Sequence, residues 1–299
     1  MEVWRNGWQS LRWLWSHPLV ESDRLGALVR VARWQLGARL LPGTHCLPFV
    51  NSTVLLASRG MAGATGNVYA GLHEFAEMGF LLHYLRPGDW FIDVGANIGS
   101  YTILAAGARG ARALAVEPLP AAFAALMANV RINALEDRVR ALNVGVAGRK
   151  GTLRFTRGND TMNHVLAENE GEGDALDVHV LTLDDVVGDR SPALVKVDVE
   201  GFETEVFAGG GRTLAAPSLQ ALILELNGSG NRYGFDEGEL RRHIEAQGFQ
   251  GCAYDPRTRC LMRASTTSRE GNALFVRESG AVAERLRDAP PFRVAGMEI

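Results

Sequence analysis

The run Trp90-Phe91-Ile92-Asp93-Val94-Gly95-Ala96-Asn97-Ile98-Gly99-Ser100-Tyr101-Thr102 constrains this chain more than any other stretch. Trp90 to Val94 is apolar and β-prone, with one acid near its end, and predicts a buried strand. Gly95 and Gly99 let the backbone turn tightly and bring it close to a ligand. The helix expected over roughly 100–108 offers free N–H groups and a positive dipole end to that ligand. Strand, glycine turn and helix in this order predict an α/β fold in which ligands sit outside the carboxyl ends of the strands.

The turn discriminates between ligands. A dinucleotide site wants Gly-x-Gly-x-x-Gly, but here the middle glycine position holds Ala96 or Asn97. Asp93 would also face a pyrophosphate, which is electrostatically poor. S-adenosylmethionine carries an amino group, a sulfonium and a carboxylate, and no phosphate. Asp93 suits its positive groups, and the loop and helix N–H groups of Gly95, Ala96, Asn97 and Gly99 suit its carboxylate. Glu117 ends the next apolar run, Ala113 to Val116, 24 residues after Asp93. An acid at that second strand tip accepts ribose hydroxyls, as in dinucleotide folds. Pro118 is expected to start the following helix, and Asn143 to end the third strand beside the adenine.

Three ordered blocks then resemble a known family. Asp93-Val-Gly-Ala-Asn-Ile-Gly-Ser-Tyr-Thr, Val116-Glu117-Pro118 and Lys196-Val-Asp198-Val-Glu200-Gly201-Phe-Glu203 are similar to the FkbM-type methyltransferases, over roughly residues 72–276. The third block makes the resemblance specific, because the first indicates only a class I methyltransferase. The resemblance implies an S-adenosylmethionine-dependent enzyme with a Rossmann-like, mostly parallel sheet and an antiparallel last strand. It implies methylation of hydroxyl groups on sugars, glycans or secondary metabolites. N- or carboxyl-methylation on the same fold and a non-catalytic cofactor-binding accessory protein are the alternatives.

Lys196, Asp198 and Glu200 would alternate onto one side if they lay in a single strand. Charges on a buried strand are costly unless paired or used, so these three are candidate catalytic residues, with Asp198 also beside the cofactor. One alternative is a Lys196–Asp198 ion pair with Glu200 capping the next helix. A hydroxyl acceptor must lose its proton, and Asp198, Glu200 and His164 are the candidate bases. Glu74 and Glu77 are weaker candidates on a helix expected over 72–85. The sequence carries no metal signature; convergence of Asp198, Glu200 and Glu225 is the one arrangement that would supply a site.

Composition sets the remaining bounds. With 299 residues, 46% hydrophobic and 22% charged, the chain has the balance of a globular protein. A net charge of −3 argues against wholesale nucleic-acid binding. No apolar run reaches membrane-spanning length and no signal peptide is evident, which points to a cytoplasmic protein. Cys46, Cys252 and Cys260 are read as free thiols in a reducing compartment. We expect a Trp-rich helical and irregular appendage at 1–71, a methyltransferase domain at 72–280 with a β flap at 151–183, and a tail at 281–299. Five of the six tryptophans fall in the first 42 residues, and Trp4, Trp8 and Trp15 share a helical face. That segment reads as a cap packed on the domain or on a second copy of the chain. An interfacial membrane helix is the alternative.

Overall fold

The computed structural model describes residues 7–157, 163–167, 170, 175–264, 271–277 and 280–299. Expectations that rest on Trp4, on the Trp8 side chain, on 159–162 and on most of 168–174 lie outside the described residues. The first strands, β1 (Thr44–Pro48) and β2 (Val54–Ser58), form a hairpin. Then follow β3 (Trp90–Val94), β4 (Arg112–Val116), β5 (Val139–Leu142), β6 (Gly145–Val146), β7 (Gly151–Thr156) and β8 (Ala175–Leu181). The last of the main strands are β9 (Pro192–Val197), β10 (Ala221–Glu225), β11 (Phe249–Asp255), β12 (Cys260–Arg263) and β13 (Asn272–Arg277).

Eight of them make one sheet in the order β12-β11-β13-β10-β9-β3-β4-β5. The five from β10 to β5 run parallel, and β13, β11 and β12 are antiparallel. The central strands are near-continuous apolar runs because helices cover both faces. Phe91, Leu194 and Ile223 enter a core shared with Phe80, Leu81 and Tyr84 of the helix Phe75–Tyr84. Ile92, Val195 and Leu222 point the other way, onto Val206 and Phe207 of Glu203–Ala208 and Leu240 and Ile244 of Glu237–Ala246. Each such fully buried side chain contributes roughly 1.5–3 kcal/mol.

The same alternation explains the charged site. Asp93 follows Phe91 by two residues, Lys196 follows Leu194, and Glu225 follows Ile223. All three therefore share one sheet face on adjacent strands, with Asp93 in register with Lys196. They lie at or near the carboxyl ends, where the apolar runs stop.

The N-terminal helices Gly7–Ser16, Pro18–Glu21 and Arg24–Leu40 pack beside the hairpin and the helix Ala62–Ala70. Asp23 caps the longest by accepting from the Gly26 N–H at 2.9 Å. Leu14, Val20, Ala27 and Trp34 build a satellite core that reaches Ile98 of the glycine turn. Between β5 and β9, β6, β8 and β7 form a separate three-stranded sheet.

Several elements differ from the sequence expectation. Residues 43–71, whose glycines suggest irregular structure or short strands, hold the β1–β2 hairpin but also the helix Ala62–Ala70, despite Gly63 and Gly66. Gly66 has a packing reason: a Cβ there would lie 2.3 Å from Cδ2 of His73. The helix after it starts at Phe75, not Leu72. The helix after the glycine turn is α-helical over Ser100–Ile103 and then widens into a π-turn over Leu104–Ala108. Pro120, not Pro118, occupies the first turn of the next helix, Pro120–Ile132. β9 ends at Val197, so Lys196, Asp198 and Glu200 do not share one strand. The three cysteines agree with expectation: Cys46, Cys252 and Cys260 are free thiols, and in the β11–β12 hairpin Cys260 faces Asp255 while Cys252 faces Arg263.

Candidate active site

The cleft lies over the carboxyl ends of β3, β4 and β9. Its wall includes Asp93, Gly95, Ala96, Asn97, Glu117 and Pro118 from the first two tips, and Lys196, Asp198 and Glu200 from the third. His73, Glu74, Tyr101 and Phe155 also face it.

The glycine turn is forced by its neighbours. Gly95 has φ +77, and a Cβ there would lie 1.8 Å from the Asp198 carbonyl oxygen. Only glycine lets β3 and β9 tips approach this closely. The Gly95 and Ala96 N–H groups donate to the Val116 carbonyl at 2.9 and 3.0 Å. Asn97 adopts φ +50, and Gly99, at φ +90, precedes the first helical turn. Gly99 itself is not on the cleft wall; Ile98 and Ser100 beside it are.

Glu117 clamps the next tip. Its Oε2 accepts from the Asn97 N–H at 2.8 Å and its Oε1 from the Leu119 N–H at 3.0 Å. Burial pushes this carboxyl up to about 7, against the pull of those two donors. Each oxygen retains acceptor capacity for a ribose hydroxyl. Asn143 does not line the cleft; its Nδ2 donates to the Glu117 carbonyl at 2.8 Å and the Pro118 carbonyl at 3.0 Å, which fixes the tip. Next to Glu117 opens a small apolar slot between Val116, Pro118, Val144, Val146, Phe155 and Phe202.

Asp93 is 1% exposed and accepts from the Thr102 hydroxyl at 2.6 Å through Oδ2. Its Oδ1 is buried without a partner. Burial raises its pKa, while the Lys196 ammonium opposes that shift. Lys196 Nζ lies 2.7 Å from Asp198 Oδ2 and 4.8 Å from the Tyr101 ring centre. Burial works against the Lys196 charge, yet Asp198, Glu74 and Asp93 hold its pKa above the usual value. Burial would likewise raise Asp198, but Lys196 holds it low. Tyr101 donates to Glu74 Oε2 at 2.6 Å.

The turn after β9 differs from its expected geometry. Glu200 has φ +56, and burial, followed by the Asp198 charge, lifts its carboxyl to about 7. It does not cap the next helix. Glu203 ties the turn, its Oε1 accepting from the Val199 and Gly201 N–H groups at 3.1 and 3.2 Å.

His164 is not brought to the cleft. It lies on the insertion with Nε2 3.0 Å from Glu170 Oε1; its neighbour Asn163 lines the cleft instead. His73 was not among the sequence candidates. It precedes the helix Phe75–Tyr84 and stacks obliquely on Trp13, with ring centres 5.1 Å apart. Burial lowers its pKa, so its imidazole is neutral at pH 7. No motif marks it, since the fold alone brings it to the strand tips. Of the two weaker candidates, Glu74 faces the cleft, whereas Glu77 does not line it; desolvation, followed by the Glu74 charge, pushes its carboxyl up to about 7.

These groups fit one cofactor chemistry. Asp93 keeps one carboxylate oxygen without a donor, both Glu117 oxygens retain acceptor capacity, and an apolar slot opens beside Glu117. A parallel sheet carrying this turn and these two acids defines a nucleoside-cofactor cleft of the methyltransferase kind. The chain belongs to the FkbM methyltransferase domain family, which matches residues 93–250, just over half of the sequence. Its cofactor is S-adenosylmethionine. The 31-O-demethyl-FK506 methyltransferase FkbM of Streptomyces tacrolimicus is 32% identical over 169 residues, 45% of this chain and 65% of that protein. Methyltransferase sdnD of Sordaria araneosa is 29% identical over 159 residues, 42% of this chain and 61% of that protein. The chain thus aligns with less than two thirds of either relative's length. A TehB-like SAM-dependent methyltransferase from Corynebacterium glutamicum superposes with a TM-score of 0.41 at 12% identity, covering 73% of this chain and 96% of that one.

Proposed function

We propose that the chain methylates a hydroxyl oxygen on a sugar, glycan or secondary metabolite. S-adenosylmethionine supplies an activated methyl group, so the protein's own work is alignment and proton removal. Asp93 and Glu117 hold the amino-acid and ribose ends, and the apolar slot orients the base. His73 takes the acceptor's proton. It faces the cleft beside Asp198 and is neutral near pH 7, whereas Asp198 is held as a weak base by Lys196.

The observation that carries this reading is the pairing of a cofactor cleft with a neutral imidazole on its wall. The relative named for its action on 31-O-demethyl-FK506 supports an oxygen acceptor. Among the described residues no helix is long and apolar enough to cross a membrane. The test is incubation of purified protein with S-adenosylmethionine and a panel of hydroxylated sugars and glycosides. Mass spectrometry after mild base treatment separates stable O-methyl ethers from labile esters. Ethers are expected; turnover confined to carboxyl or amine acceptors would sink the proposal.

A further inference from the structure

A second cavity, of about 540 Å³, opens between the helix Arg24–Leu40, the strand β1, the helix Ala62–Ala70 and the C-terminal segment at 293–296. Small-molecule ligands fill cavities of roughly 300–1,000 Å³. It shares no lining residue with the cofactor cleft. Trp34, Leu47, Phe49 and Val68 give it an apolar wall. Arg30, Arg33, His45 and Arg293 add basic side chains, and no aspartate or glutamate lines it. Arg30, Arg33 and Trp34 come from the tryptophan-rich first 42 residues, which the cofactor cleft does not use.

Two of these side chains keep unused nitrogens. Arg30 Nη1 pairs with Asp23 Oδ2 at 3.1 Å, and Arg30 Nε donates to the Tyr69 carbonyl at 3.1 Å. Its Nη2 is shielded from solvent and has no acceptor. Nε2 of His45 is likewise shielded and without a partner. Buried polar nitrogens normally find one. Gly37 is a separate mark. A glycine inside a helix costs about 1 kcal/mol relative to alanine. Gly26 on the same helix has a packing reason, because a Cβ there would run into the Asp23 carboxylate. Gly37 has none: a Cβ there would meet no protein atom within 4 Å, yet the residue lines the cavity. The space beside it is left open by the fold.

We propose that this cavity binds an anionic small molecule with an apolar body. Its carboxylate or phosphate head meets Arg30, Arg33 and Arg293, and its body lies against Trp34 and Phe49. Guanidinium forks match such heads in both charge and geometry. The site goes beyond the methyl-transfer reading and does not rest on it. The two cavities adjoin at Asn67, which lines this one and donates through Nδ2 to Ser100 Oγ on the cleft wall at 3.2 Å.

The test titrates the full chain by calorimetry with decyl phosphate, kept below its micelle concentration. Decanoate, decanol and inorganic phosphate are titrated separately. Saturable one-site binding of decyl phosphate or decanoate is expected, at least about tenfold tighter than that of decanol or inorganic phosphate. Arg30→Gln should weaken it at least about tenfold. Gly37→Leu should block it by occupying the open space; this variant favours the helix, so it serves even if Arg30→Gln fails to fold. S-adenosylhomocysteine should not compete with either anion. The proposal is overturned if neither anion binds saturably, if decanol binds as tightly, or if affinity is unchanged in both variants. Displacement by S-adenosylhomocysteine would place the anion in the cofactor cleft and overturn it as well.

Discussion

At the scale of single residues, buried charge dominates this molecule. Lys196 is 3% exposed and sits among Asp93, Asp198 and Glu74. Removing it in Lys196→Met leaves carboxylates buried without a counter-charge. A loss of about 3–5 kcal/mol in urea unfolding is expected. A change below about 1 kcal/mol, typical of exposed pairs, would show that solvent screens the cluster. His73→Gln tests the proton acceptor. Turnover should fall about a hundred- to ten-thousand-fold with S-adenosylhomocysteine affinity retained. Wild-type rate should drop as pH falls through the His73 pKa, which lies below 6.5, because only neutral imidazole accepts a proton. A wild-type profile unchanged in the variant would remove His73 from the mechanism. Asp93 and Glu117 were legible in sequence because strand, turn and acid are contiguous. His73 was not, since only tertiary packing brings it to the strand tips; the meeting of Glu225 with Asp198 and Glu200 could be named from the sequence only as one possibility, because it depends on β10 pairing with β9. His164 misled because loop position and pKa type say nothing about direction.

At the scale of elements, the apolar strands were readable because both sheet faces are covered and their runs are uninterrupted. The helix Ala62–Ala70 was hidden by Gly63 and Gly66; at Gly66 glycine serves close packing against His73 and not chain reversal. The end of β9 was misjudged because alternating charge continues past the last sheet residue, Val197, into a turn. The helix Arg24–Leu40 leaves an apolar stripe in solvent: Leu25, Val29, Leu36 and Leu40 are 75%, 48%, 62% and 77% exposed. Their spacings of four and seven put them on one face. We propose self-association through this face. Light scattering should give wild type a mass above one chain, and Leu36→Glu should lower it. A wild-type mass equal to a single chain would contradict this.

At the scale of the whole molecule, several acids titrate far from their usual range. Burial lifts Glu77, Glu117, Glu200 and Glu203 to about 7, against 4.5 for the free side chain. Protonated carboxyls in the native state mean that it binds more protons than the unfolded chain. Stability from these groups is therefore full below pH 4.5 and lost as pH rises through 7. Buried His17 and His83, lowered to about 4, act in the opposite sense between pH 4 and 6.5. Above 6.5 only the acids remain, so the melting temperature of cofactor-free protein should fall from pH 6.5 to 8. A flat or rising profile would mean that these carboxyls are solvated. All of this converges on one cleft, and cofactor binding tests it most directly. Calorimetric titration of wild type and Glu117→Ala with S-adenosylhomocysteine is the deciding measurement. Saturable binding to wild type, weakened at least about tenfold in Glu117→Ala as lost ribose hydrogen bonds require, is the expected result. Wild-type protein that binds neither S-adenosylhomocysteine nor S-adenosylmethionine would contradict the assignment of this cleft.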